Sequence, residues 1–136
     1  MEKMQIINCT PHVVRIFNES DTRYDKYARK RILIKKNAKP IVEIPTSGII
    51  LSVTKKVKRV GEIDGIPICE LEPQLPQKML EVLKLDEGVL LVVSTLFALA
   101  CQQKDLKEFR NRLLTIGSPV YFDEKLVGCL SLVKTY

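Results

Sequence analysis

Short apolar runs, many alternating with polar residues, set the pattern of the chain. Gln5–Asn8 and Val13–Phe17 are two such runs separated by Cys-Thr-Pro-His, which predicts strand, turn, strand. Ile32–Ile34, Ile41–Ile44 and Ile50–Thr54 repeat at period 2 and predict three more strands. Pro45-Thr46-Ser47-Gly48, between the last two, is a turn signal. Lys55–Val60 reads as a basic strand or hairpin arm. Gly61 to Pro67 is a turn-rich stretch that leads into a strand at Ile68–Leu71. From Asn18 to Arg29 aliphatic residues are nearly missing, which predicts a long mobile loop. Ordering a backbone costs roughly 1–2 kcal/mol per residue, and this segment has little apolar surface to offset it.

The period changes after residue 73. Met79, Leu80, Val82, Leu83 and Leu85 recur at helical spacing within 73–88, which predicts a short helix ended by Asp86-Glu87-Gly88. Val89–Val93 is continuously apolar and rich in β-branched valine, the pattern of a strand buried on both faces. Leu96–Cys101 reads as helix, Asp105–Arg112 as helix or loop, and Pro119–Phe122 with Leu126–Val133 as a closing hairpin around Asp123-Glu124-Lys125. With no internal repeat or low-complexity tract, the expectation is a single α+β domain over 1–136. It would be a mainly antiparallel or mixed β-sheet, or a partly closed barrel, with one or two short helices and a basic mobile insert at about 18–30.

Charge adds an asymmetry. The net charge is +6, but residues 1–60 carry 14 Lys and Arg against 5 Asp and Glu, whereas 61–136 carry 8 against 11. Eight basic residues crowd into 23–39. Two readings stay open for that run: a face that attracts anions, or a solvated loop that happens to be basic. The four cysteines are scattered in apolar segments without a CxxC pair, so buried reduced thiols are expected ahead of disulfides or zinc. No apolar run reaches the roughly 18–20 residues of a membrane span. The N-terminal residues lack the apolar core of a signal peptide, so a cytoplasmic location is expected.

Three polar clusters are candidates for chemistry. In Asn8-Cys9-Thr10-Pro11-His12, Pro11 forces a turn, and the single histidine serves either to brace that turn or to touch a ligand. Thr46-Ser47-Gly48 is either a plain β-turn or a nest of backbone N–H groups for an anion. Ser94-Thr95 stands at a strand-to-helix junction, where a serine caps the helix and the free N–H groups of the first turn can hold an anion. The glycines of a hydrolase nucleophile elbow are missing around Ser94. P-loop, dinucleotide, zinc-protease and paired-carboxylate patterns are also missing, so no cofactor, metal or catalytic residue is assigned.

The order of these motifs resembles a family of small phage and bacterial proteins that open with Asn-Leu-Thr-Pro-His, here Asn8-Cys9-Thr10-Pro11-His12 with cysteine in place of leucine. The likeness continues through Pro45-Thr46-Ser47-Gly48, Gly61 to Pro67, Val92-Val93-Ser94-Thr95-Leu96 with Ala98 and Ala100, and Gly117-Ser118-Pro119-Val120. The basic 18–39 segment departs from the family pattern, so no role is carried over to it. The resemblance implies a phage-type accessory protein of the host cytoplasm whose polar motifs form its site.

The leading expectation is a non-enzymatic binder of a small anionic, nucleotide-like ligand, such as a nucleotide-derived defence signal. Its contacts would come from Asn8, Thr10, His12, Thr46, Ser47, Gly48, Ser94, Thr95, Lys55 and Arg59, with the polar motifs converging in space. The rivals are a nucleic-acid or protein interaction module using the basic half, and a small nucleotide-processing enzyme using His12. A homo-oligomer, with a dimer favoured, is expected because short-strand sheets leave edges to be covered.

Overall fold

The structure, a computed structural model, describes residues 5–85 and 88–135. Its strands are β1 (Gln5–Asn8), β2 (Val14–Ile16), β3 (Thr22–Asp25), β4 (Lys30–Leu33), β5 (Val42–Ile44), β6 (Thr54–Ile63), β7 (Ile66–Gln74), β8 (Val89–Val92), β9 (Leu113–Phe122) and β10 (Lys125–Lys134). Among the described residues there are also two α-helices, α1 (Met79–Leu83) and α2 (Thr95–Gln103), and two 3-10 turns.

Six strands run in the order β1-β8-β9-β10-β2-β5, and a parallel bridge from Asn8 to Thr46, just past β5, brings the last strand back to the first. The sheet is therefore mixed and nearly closed into a barrel. β1 with β8, β8 with β9, and β10 with β2 are parallel, whereas β9–β10 and β2–β5 are antiparallel. β10 takes one whole edge of β9. The other edge is shared, with β8 along Leu113–Leu114 and β4 along Val120–Tyr121. β6 and β7 form a separate two-stranded ribbon.

The continuous apolar run of β8 is explained by burial on both faces, as in parallel sheets. Leu90 and Val92 join Val14, Leu114 and Cys129 in one core. Val89, Leu91 and Val93 face the other, packing with Phe97, Ala98 and Cys101 of α2, with Phe109 and with Val82 of α1. Phe97 and Phe109 meet edge-to-face with centroids 6.2 Å apart. A third core, Phe17, Leu33 and Val120, lies beneath the β3–β4 hairpin.

Several expectations need correction. The segment 18–29 is not a long loop: it forms a 3-10 turn at Glu19–Asp21 and then β3, paired antiparallel to β4. The hairpin is encoded locally by Asp25, whose carboxylate accepts from the Tyr27 and Ala28 N–H groups, and by Arg29 at φ 54°. It is anchored by β4 docking on β9, a tertiary contact that outweighs the low apolar content. Residues 50–53, expected as a strand, form no ladder. The alternation there arises because Ile49, Leu51 and Val53 pack on the core while the Leu51 N–H bonds Cys9 O at 3.0 Å. The turn-rich stretch 61–67 is mostly strand, and its turn is just Asp64-Gly65, both with positive φ as a two-residue hairpin demands. The helix read into 73–88 is confined to Met79–Leu83, and its expected end at Asp86-Glu87 lies outside the described residues. Cys9, Cys101 and Cys129 are buried as expected, but Cys69 is exposed on the ribbon. Among the described residues no helix is long and apolar enough to cross a membrane.

Candidate functional site

β1 and β8 lie side by side and parallel, in register from Gln5↔Val89 to Asn8↔Val92, so the chains leaving them emerge at the same end of the barrel. That brings Thr10-Pro11-His12 and Ser94-Thr95 together, although some eighty positions separate them in sequence. β9 and β10 extend past the end of β8 and form the rest of the rim. The result is a cavity of about 560 Å³ at the barrel mouth, the usual place for a ligand in such a fold. Its polar rim comprises Thr10, His12, Arg15, Ser94 and Thr95. Val14, Val93, Ile116, Leu126 and Cys129 are among its apolar lining.

Asn8 is the pin of this arrangement. It is buried, and its Nδ2 donates to His12 O at 2.8 Å and Ile44 O at 3.1 Å. Its Oδ1 accepts from the Thr10 N–H at 2.9 Å and the Thr10 hydroxyl at 2.6 Å. All four hydrogen-bonding positions of the amide are thus filled by the protein, leaving none for a ligand. The Thr10 hydroxyl has one proton, with Asn8 Oδ1 at 2.6 Å and His12 O at 3.0 Å both placed to accept it, so it can only accept from a guest.

Ser47 belongs to the same construction. Its N–H and its hydroxyl both donate to Asn8 O, at 3.1 and 2.7 Å, and its Oγ accepts from the Ile49 N–H at 3.2 Å. Thr46 makes the bridge to Asn8, and Gly48 takes φ 87°, a left-handed conformation that glycine adopts without strain. Thr46, Ser47 and Gly48 thus close the barrel behind β1 and do not line the cavity. Lys55 and Arg59 do not line it either: they stand exposed on β6, where Arg59 pairs with Glu62 at 3.7 Å.

Ser94 caps α2. Its φ of −69° and ψ of 155° are extended, and its Oγ accepts from the Phe97 N–H at 3.2 Å. The first-turn N–H groups of Thr95 and Leu96 have no intrahelical acceptor, because a helix supplies none at that end. With the helix dipole they give the rim a partial positive charge. Arg15 also lines the cavity, but on β2 it alternates with the inward-facing Val14, and its side chain lies opposite Glu43, 3.9 Å away, on the exposed face. The His12 ring is exposed and can donate to a guest.

Arg15, Gly128 and Cys129 were not foreseen as cavity residues. Arg15 had a faint signal, as the first cation after the Thr-Pro-His turn. The position of Gly128 follows from packing: a Cβ there would fall 2.5 Å from Arg15 O and from the Phe17 ring, so β10 can approach β2 only with glycine. Cys129 is buried, its thiol is pushed above the ordinary range by desolvation, and it donates weakly to Arg15 O at 3.7 Å. Such a thiol stays protonated near neutral pH and is a wall, not a nucleophile. Among the described residues no group of three or more His, Cys, Asp or Glu side chains is placed to hold a metal. Compared with family models, curated proteins and solved structures, the chain matches none.

Proposed function

We propose that the protein binds, without transforming it, a small amphiphilic anion of nucleotide type at the barrel mouth. The observation that supports this reading is a cavity in which His12 and the first turn of α2 stand over an apolar lining, with Arg15 at its edge. A phosphate would accept from the Thr95 and Leu96 N–H groups and pair with Arg15. A base or another flat apolar group would cover Val14, Ile116 and Leu126. An anion with no apolar part would leave most of the lining wet, which is why an amphiphilic ligand fits better than inorganic phosphate. The motif resemblance to phage and bacterial accessory proteins adds a purpose, the sequestration of a nucleotide or nucleotide-derived signal in the host cytoplasm.

The basic segment gives less support to a nucleic-acid groove. Lys30 lies over the Tyr121 ring of β9 at 4.9 Å and Arg31 donates to Thr22 Oγ1 at 3.0 Å, so one cation docks the hairpin on β9 and the other braces the hairpin itself. The test is mass spectrometry of small molecules released by heating the purified protein, followed by calorimetric titration with the compounds found. Arg15→Ala and His12→Ala should each weaken binding about tenfold or more, equivalent to about 1.4 kcal/mol, while Lys55→Ala leaves it unchanged. Release of oligonucleotides only, with no titratable nucleotide, would overturn the reading.

A further inference from the structure

β6 and β7 make a ribbon whose residues are exposed on both faces, except that Pro73 is half-buried. It nevertheless carries Ile63, Ile66 and Ile68 on one face and Val57 and Leu71 on the other, each exposed by 38% or more. An isolated two-stranded ribbon is marginal in water and gains stability from something packed on a face. Pairing at an edge is disfavoured. Pro67 and Pro73 lack N–H groups on β7, and β6 is lined with lysines, the devices that blunt sheet edges.

One face has a distinctive layout. Side chains alternate along a strand and directly paired residues share a face. The register therefore puts Lys56 with Glu72, Lys58 with Glu70, Gly61 with Ile68, and Ile63 with Ile66 on the same side. At each charged level the cation is on β6 and the anion on β7. Two such faces can be stacked by a two-fold axis lying between them in two ways. An axis across the strands sets β6 over β6, like charge on like. An axis along the strands sets β6 over the partner copy's β7 at the same level. Lysine then meets glutamate four times, twice from each copy, and isoleucine meets isoleucine at the tip.

From this self-complementarity we infer that a second copy of this chain covers that face, forming a two-fold dimer whose ribbons lie face to face and point the same way. The face is about 34 Å long and two strands wide, so it buries only on the order of 300 Å² per copy. That is well below the roughly 800 Å² of a standard stable interface, so the dimer dissociates on dilution.

Sedimentation velocity across a dilution series tests it on the full chain. The wild type should pass reversibly from dimer to monomer, and Lys56→Glu with Lys58→Glu should weaken association about tenfold or more by placing eight like charges, four from each copy, together. Adding Glu70→Lys and Glu72→Lys to that variant restores opposite charges across the interface and should restore the dimer. Val57→Lys, on the other face, should leave it intact, and circular dichroism checks that every variant folds. A wild-type monomer at all concentrations, or a dimer indifferent to the Lys56/Lys58 reversal, overturns the proposal.

Discussion

Asn8 shows how much of this fold hangs on one side chain. Its amide binds the turn after β1 to itself and reaches Ile44 O across the barrel seam, so it fixes both the shape of the rim and the closure of the sheet. Asn8→Ala removes the four hydrogen bonds by which the amide ties the turn to the barrel seam, and should cost about 3 kcal/mol in urea unfolding. Asn8→Asp keeps the acceptor but turns the donor into a second acceptor facing two carbonyls, and should be at least as damaging. Cys101 makes a pH-dependent contribution. Burial pushes its thiol up to about 11, and Cys9 and Cys129 are raised for the same reason. The unfolded thiols lose their protons first as pH rises, so in that window the folded state holds more protons than the unfolded one. Stability is therefore full at neutral pH and falls as pH climbs from the ordinary thiol range towards 11. Denaturant unfolding from pH 7 to 10.5 should show that decline, and Cys101→Ala should make it shallower.

At the scale of the element, helix α2 has two functions that one residue can separate. Ser94 stabilises the helix as its cap, while the N–H groups beside it supply the positive end of the cavity. Ser94→Ala should lower stability by about 1 kcal/mol through loss of the cap. Ser94→Asp keeps a capping oxygen and adds a charge that the dipole favours, so it should unfold no more easily than the wild type. It places a carboxylate where the proposed phosphate would sit, and calorimetry should show anion binding lost. A Ser94→Asp variant that is stable and binds as before would mean that the helix terminus is not part of the site. The β3–β4 hairpin illustrates the opposite balance, since its turn is local chemistry at Asp25 and Arg29 but its place in the sheet is decided by docking on β9.

For the whole molecule, the barrel and the ribbon should differ sharply in stability. β8 and β9 are hydrogen-bonded on both edges and β8 is buried on both faces, whereas the ribbon pairs with no other strand among the described residues and is exposed. Hydrogen exchange should be slowest in 89–92 and 113–116 and fastest in 54–74, with added protection in the ribbon at concentrations where the dimer forms. The sequence alone determined those features whose cause is local. The alternation of the strands, the two-sided burial of 89–93, the cap at Ser94 and the turn at Asp123-Glu124 were legible because a period, a hydroxyl or a short polar gap produces them within a few residues. The meeting of Thr10 and His12 with Ser94 was anticipated as convergence of motifs, but its cause, the parallel pairing of β1 with β8, leaves no local trace. Tertiary structure alone decided that Asn8 and Ser47 spend their hydrogen bonds on closing the barrel. It also put Arg15 at the rim and set Lys55 and Arg59 on a ribbon away from it. Each of these outcomes depends on which strands become neighbours. That choice is made by the summed burial of distant apolar faces, a quantity no single stretch of sequence contains.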